Sequence, residues 1–141
     1  MEAVGFISDS MKITVDDAQA AAGTEFDSTV LDMAGFNAVL WVVKLGTSDS
    51  GNFAKGQEAA TADMSGAQDL LGTKAAGQKI LVVDVQRPAQ RYVRCAVIRA
   101  GVNTTVDAVV ALQYDASKLP ITQAAAIALA QVFGPAEGAV N

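Results

Sequence analysis

The stretch Lys79–Ala100, KILVVDVQRPAQRYVRCAVIRA, limits the possible folds most strongly, because each of its halves carries a series of apolar side chains at every second position. A period of two is typical of β-strands with one buried face, and it runs through Ile80–Gln86 and again through Tyr92–Ala100. Residues 87–90, Arg-Pro-Ala-Gln, fit a turn with proline at its second position. The stretch is therefore predicted to be a β-hairpin. Its predicted core-facing residues are Leu81, Val83, Val85, Val93, Cys95 and Val97.

The segment Phe36–Leu45, FNAVLWVVKL, is predicted to be a central strand. Both of its faces are largely apolar, which is typical of a strand that is covered on both sides. Other strand candidates are separated by turn-forming segments, in the spacing typical of a sandwich or barrel. The predicted fold class is therefore all-β, in one domain spanning residues 1–141. These other candidates are Met11–Val15, Phe26–Met33, Phe53–Ala60 and Thr105–Tyr114.

Three segments outside these strands have less regular patterns. Residues 1–11 are predicted to be a polar N-terminal arm. Asp16–Gly23 fits either a short helix capped by Asp16 or an extended connection, and the connection is favoured slightly. The alanine-rich segment Thr122–Phe133 fits a helix that ends at Gly134-Pro135. Alternatively, residues 122–141 form an arm that lies across a neighbouring molecule.

Composition excludes several classes of function. The chain has no histidine, which removes the commonest general base and the commonest zinc ligand. The single Cys95 allows neither an internal disulfide nor a CxxC motif. A net charge of -5 argues against general nucleic-acid binding. Met1–Met11 lacks the basic start of a signal peptide, and the apolar run Ile121–Phe133 is too short to span a bilayer. We expect a soluble, non-enzymatic protein that has no cofactor or metal and is made in the cytoplasm.

The arginines and the single tryptophan are the residues with the most ambiguous roles. Arg87 and Arg91 are expected at the exposed tip of the hairpin, and Arg99 at an exposed strand end. Arg94 lies mid-strand near Tyr92, so it fits either a solvated position or an ion pair at an interface, where Arg and Tyr are enriched. Trp41 fits the core, yet the surplus of apolar strand faces predicts contacts with other molecules.

Four segments of the chain resemble small head proteins of tailed phages, and together with the residues between them they cover most of its length. These segments are VVDVQRPAQRYVRCAVIRA at Val82–Ala100, DAVVALQYDASKLPITQ at Asp107–Gln123, LDMAGFNAVLWVVKLG at Leu31–Gly46 and GPAEGAV at Gly134–Val140. RPxxRYVR and the QY…P segment are the most specific parts. The family is that of capsid cement, or decoration, proteins, and the likeness is greatest to those of short-tailed phages such as a Bordetella phage.

The resemblance implies a jelly-roll-like β-sandwich with extended terminal arms, bound to the outer surface of an HK97-like capsid. There it would clamp adjacent capsomers, with the major capsid protein and a second copy of itself as partners, and without nucleic acid, membrane or cofactor. The implied location is the virion surface. The contact residues expected on this basis are Trp41, Arg87, Arg91, Tyr92, Arg94, Ile127, Leu129 and Phe133.

A carbohydrate-binding module of a phage tail or fibre is the alternative function. Such modules stack sugars on exposed aromatic rings. The amphipathic aromatics of this chain are Trp41, Tyr92 and Tyr114, and all three fall inside predicted strands. The sequence therefore favours the capsid role.

Overall fold

A computed structural model gives the structure of the chain, and it describes residues 6–70 and 75–131. Within them a short 3-10 turn, Ile7–Asp9, precedes eleven strands. The strands are β1 Lys12–Asp16, β2 Gln19–Ala22, β3 Phe26–Asp27, β4 Leu31–Asp32, β5 Phe36–Leu45, β6 Asn52–Ala59, β7 Gln68–Asp69, β8 Ala75–Ala76, β9 Ile80–Gln86, β10 Tyr92–Arg99 and β11 Thr104–Ala116.

The strands form two antiparallel sheets that pack face to face. Sheet A has the order β1-β11-β5-β9, and β2 also pairs with β11. Sheet B has the order β3-β10-β6-β7, while β4 also pairs with β10 and β8 with β6. β1 and β2 share one edge position on β11, β3 and β4 share one on β10, and β7 and β8 share one on β6. Numbered along the described chain, the strands thus occupy eight positions, in the order 1-8-3-6 in sheet A and 2-7-4-5 in sheet B. This is the strand order of a jelly roll, and the all-β sandwich predicted from the sequence is confirmed.

Trp41 lies at the centre of the core between the sheets and is completely buried. Side chains alternate between core and surface along β5, β9 and β10, as the period of two predicts. The alternation thus identified the inward faces correctly. The core cluster includes Val39, Val43 and Leu45 from β5, Leu81, Val83 and Val85 from β9, and Val93, Cys95 and Val97 from β10.

The predicted hairpin at Lys79–Ala100 is wrong, because β9 and β10 lie in different sheets. β9 pairs with β5 in sheet A, whereas β10 pairs with β6, β3 and β4 in sheet B. Residues 87–90 form an arch that crosses from one sheet to the other. The inward faces of the two strands therefore meet across the core, whereas in a hairpin they would lie side by side. Alternation shows which face of a strand is buried, but it does not show which strand is the neighbour.

Three other segments differ from their predictions. Asp16–Gly23 contains a strand, β2, that pairs with the start of β11, so neither the connection nor the helix is right. Phe26–Met33 is interrupted at Ser28, whose backbone N–H donates to the Cys95 carbonyl and whose hydroxyl accepts from the Cys95 N–H. This exchange leaves two short strands, β3 and β4, on β10.

The described part of the C-terminal segment, residues 122–131, contains no helix and lies beside its own β1. The Gln123 carboxamide accepts from the Ile13 N–H and donates to the carbonyl oxygens of Ser8 and Met11. Gln131 donates to the side chains of Ser8 and Asp9. A short alanine-rich helix is marginal in water without tertiary packing, and these hydrogen bonds hold an extended path instead. The described part of this segment is therefore an extended arm that lies along its own chain.

Candidate docking surface

The outer face of sheet A carries an apolar surface that the strand register assembles. Val15 pairs with Val110, Val110 with Val42, and Val42 with Val82, so four valines form one row across all four strands. We call this the valine row. The adjacent row consists of Ile13, Leu112 and Leu40 and ends at Asp84. Together with Ile80 on β9, these aliphatic side chains form what we call the apolar face.

Several members of the apolar face are strongly exposed. Val15 is 51% exposed, Val82 50% and Ile80 59%, while Leu40 and Val42 in the middle are half-buried. In most antiparallel sandwiches the outward positions are polar, because water covers them. Contiguous exposed apolar side chains with a polar rim are typical of interaction sites.

Polar clusters bound the apolar face at both ends of the strands. At one end, the Tyr114 hydroxyl donates to Asp84 Oδ1 at 2.6 Å and accepts from Gln86 Nε2 at 2.9 Å. The Asp84 carboxylate raises the pKa of Tyr114, so the phenol stays protonated and continues to donate. At the other end, Lys44 Nζ lies 3.0 Å from Asp107 Oδ2. The result is a bounded patch with an apolar centre and a polar rim, the usual anatomy of a protein interface.

The outer face of sheet B carries a charged network instead. Arg94 donates from Nε to Gln57 Oε1 at 2.9 Å and lies 3.4 Å from Asp27 Oδ2 through Nη1. Gln57 donates to Asp69, which also forms a 2.8 Å ion pair with Lys55. Most of these groups bond to one another, while Asp27 Oδ1 is buried without a hydrogen-bond partner among the described residues.

The arch between β9 and β10 brings three of the predicted contact residues to one end of the sandwich. Arg91 donates from Nε and Nη2 to the two carboxylate oxygens of Asp32, at 2.8 Å each. Its guanidinium also lies 5.3 Å from the centre of the Tyr92 ring. The Arg91 hydrogen bond lowers the pKa of Asp32 to about 2. Arg87 is exposed nearby, with a left-handed backbone φ of 51°, and lines a shallow groove with Phe36.

The other predicted contact residues are scattered. Trp41 is wrong as a contact residue, because it is fully buried in the core, where its indole N–H has no hydrogen-bond partner in the described part of the chain. Arg94 does pair with an acid, but with Asp27 of its own sheet. Ile127 is half-buried beside β1, Leu129 is 49% exposed, and Phe133 lies outside the described residues. The structure therefore does not gather the predicted residues into one site.

Sequence reasoning missed two features. The valine row depends on long-range register, although the excess of apolar strand faces indicated that such a surface exists. Arg99 is buried and not exposed as expected. Its guanidinium donates to the carbonyl oxygens of Thr24 at 2.8 Å, Ala20 at 2.9 Å and Thr104 at 3.0 Å. It therefore ties β2, the following turn and β11 together, and no local pattern predicts such a contact.

The described side chains provide no obvious catalytic centre. Burial raises the pKa of the Cys95 thiol to about 12, so no thiolate nucleophile forms near neutral pH. Within residues 6–70 and 75–131, no group of three or more His, Cys, Asp and Glu side chains is placed to hold a metal ion. Over the same ranges, no helix is long and apolar enough to cross a membrane.

Comparisons with family models, with curated proteins and with solved structures found no match for this chain.

Proposed function

We propose that this chain is a structural virion protein, a cement protein that binds the outer surface of an HK97-like phage capsid and clamps adjacent capsomers. The observation that carries the proposal is the apolar face of sheet A with its polar rim. A jelly roll with one unusually apolar outer face fits a module that adheres to another protein. The phage-like segments around β5, β9–β10 and β11 support a capsid as that protein.

The mechanism is multivalent adhesion. Complete burial of an aliphatic side chain contributes about 1.5–3 kcal/mol, so covering the half-exposed Val15, Val82 and Ile80 contributes only a few kcal/mol per copy. Repetition over the shell and bridging of neighbouring capsomers raise the effective concentration and make weak contacts sufficient. Since the proposed cement protein binds only the assembled, expanded capsid lattice, its binding stabilises that lattice by mass action.

The proposed partners are the major capsid protein and a second copy of this chain, and the proposed location is the outer surface of the capsid. The proposed role is non-enzymatic and without a cofactor. The inert Cys95 thiol supports this part of the proposal.

A tail or fibre carbohydrate-binding module has less support. Sugar stacking requires exposed aromatic rings, but Trp41 is buried and Tyr92 is half-buried under the Arg91 guanidinium. A glycan array would identify such a module directly, and binding that is lost on Tyr92→Ala would favour it over the capsid role.

The proposal is tested with tailed-phage heads assembled with and without the gene for this chain. We expect the protein in purified mature heads at a fixed ratio to the capsid protein, and we expect heads that lack it to release DNA at a lower temperature. Purified protein added back should sediment with expanded heads and not with unexpanded procapsids. Mature heads that contain no trace of the protein would contradict the proposal.

A further inference from the structure

The described residues form four sheet edges, and three of them are protected against pairing. In sheet B, both edges consist of two-residue strands, β3 and β4 at one side and β7 and β8 at the other. In sheet A, β1 lies beside the C-terminal segment, and Gln123 binds the Ile13 N–H. Short or covered edge strands are the usual protection against unwanted strand addition. The fourth edge, β9, is seven residues long and lacks this protection.

The backbone of β9 has unused hydrogen-bonding groups. The Leu45 N–H donates to the Lys79 carbonyl at 2.7 Å, and the Arg87 N–H donates to the Asn37 carbonyl at 2.6 Å. These two bonds fix the antiparallel pattern, in which odd-numbered residues from 79 to 87 bond to β5. The N–H and C=O groups of Ile80, Val82 and Asp84 therefore point away from the sheet. No other described residue bonds to them.

We infer that β9 is the dimerisation edge of this protein and pairs antiparallel with β9 of a second copy, around a twofold axis at Leu81. In this register Ile80 lies opposite Val82 of the second copy, and Gln78 lies opposite Asp84 of the second copy. Apolar side chains thus meet apolar ones, and a carboxylate meets a carboxamide. Cross-strand pairs of this kind stabilise antiparallel sheets.

Three other twofold registers fit less well. An axis at Val82 places the apolar Ile80 opposite Asp84 of the second copy. An axis at Val83 places the apolar Val82 opposite the same Asp84. An axis at Asp84 brings two carboxylates together, which is destabilising. A second copy is also the occupant whose contact closes by itself, because an isologous pair uses the same edge on both sides and leaves no open end.

The pairing joins the two A sheets into one continuous sheet. The apolar faces of both copies then lie on the same side and form one surface of twice the area. This role for the dimer rests on the proposed capsid function, but the pairing itself can be measured on the protein alone. Failure of the pairing and failure of the capsid role are therefore distinguishable.

The first test compares two lysine variants at matched positions of the apolar face. Val82 and Val15 are 50% and 51% exposed, but only Val82 lies on the β9 edge. We expect the wild type and Val15→Lys to sediment as dimers and Val82→Lys to dissociate at least about tenfold more readily. A wild type that is monomeric at about 100 µM, or equal weakening by both variants, would overturn the inference.

The second test checks the register by charge complementation. Ile80→Glu and Val82→Lys should each weaken self-association, whereas their mixture should form a heterodimer in which the new charges lie opposite each other. In a register centred on Val82, the new glutamate would face Asp84, and mixing would give no recovery. Absence of recovery would contradict the axis at Leu81.

Amide hydrogen exchange supplies a readout that does not depend on any variant. Slow exchange of the odd-numbered β9 amides reports that the β5–β9 ladder is intact, which also confirms folding of the variants. In the wild type, the amides of Ile80 and Val82 should become protected as concentration rises. Protection that appears only after addition of heads would overturn the second copy as occupant and favour a strand of the capsid protein.

Discussion

The two outer faces of this sandwich have opposite chemistry. On sheet A, the valine row and its neighbouring aliphatic row expose hydrocarbon to solvent. On sheet B, Arg94, Gln57, Lys55 and Asp69 form a network whose members bind one another. Strands of both sheets contribute buried apolar side chains to the same core. A face that satisfies itself is stable in water, whereas an apolar face gains free energy when it is covered.

The largest expected effect comes from a matched pair of substitutions, one on each face. Val42 and Ile98 are both half-buried and point outward from the middle of a sheet. Val42→Lys should weaken binding to expanded heads at least about 100-fold, because an unpaired charge in a desolvated interface costs several kcal/mol. Ile98→Lys should leave binding within about twofold.

Co-sedimentation with heads measures this comparison, and thermal melts confirm that both variants fold. Val15→Lys provides a second docking variant at a more exposed position of the same face. Equal binding by the Val42 and Ile98 variants, or stronger loss in the Ile98 variant, would reverse the assignment of the faces.

The sheet B network should matter for stability and not for docking. Arg94→Met removes the cation near Asp27 and the donor to Gln57, and should lower the free energy of unfolding by about 1–2 kcal/mol. Arg87→Met is the control, because Arg87 makes no ion pair with any described residue, and it should change stability by less than about 0.5 kcal/mol. Urea denaturation measures both. Head binding that falls with Arg94→Met at unchanged stability would instead place the docking surface on sheet B.

Acid should weaken the Asp32–Arg91 pair within a defined range of pH. The pKa of Asp32 in the folded chain is about 2, below its ordinary value of 3.8. The unfolded chain therefore takes up this proton first, so the stabilisation is present above about pH 4 and is lost as the pH falls towards 2. Asp32→Asn should flatten this part of the stability profile and cost less than about 1 kcal/mol at pH 7, since the pair is exposed. An unchanged acid profile would contradict the assignment.

The smallest expected effect is a gain in stability. Glu25 lies beside Asp27, and this contact raises the pKa of Glu25 although Lys55 and Arg94 oppose the rise. Stability contributed by a group with a raised carboxyl pKa is lost as the pH rises through that value. Glu25→Gln should therefore stabilise the protein by a few tenths of a kcal/mol at pH 7 and by nothing at pH 4. Thermal melts at both pH values measure this, with Asp17→Asn at an exposed position as the control. A loss of stability at pH 7 would contradict an unfavourable contact between the ionised Glu25 and Asp27.

The sequence predicts the parts of this fold that depend on local alternation. The bounds of Phe36–Leu45 agree with β5, and the inward residues of β9 and β10 were identified, because a buried face leaves a period of two in the chain. The same period cannot distinguish a hairpin from an arch, since both bury the same side chains. The pairing of β9 with β5 depends on contacts about 40 residues apart.

The docking surface could be predicted only in part. An excess of apolar strand faces is visible in the sequence, but the alignment of Val15, Val42, Val82 and Val110 follows from the register of three separate strand pairs. The same limit applies to Arg99, because two of its three carbonyl partners, Thr24 and Ala20, lie far away in the sequence. The alanine-rich composition of residues 122–131 indicated a helix, whereas side-chain hydrogen bonds from Gln123 and Gln131 hold the segment along β1.

Cryo-electron microscopy of expanded heads reconstituted with the purified protein tests the central claim most directly. The account predicts jelly-roll density on the outer surface of the shell, with the apolar face of sheet A against the capsid protein and the Arg94 network of sheet B towards solvent. Heads without such density, or density with sheet B against the shell, would contradict it.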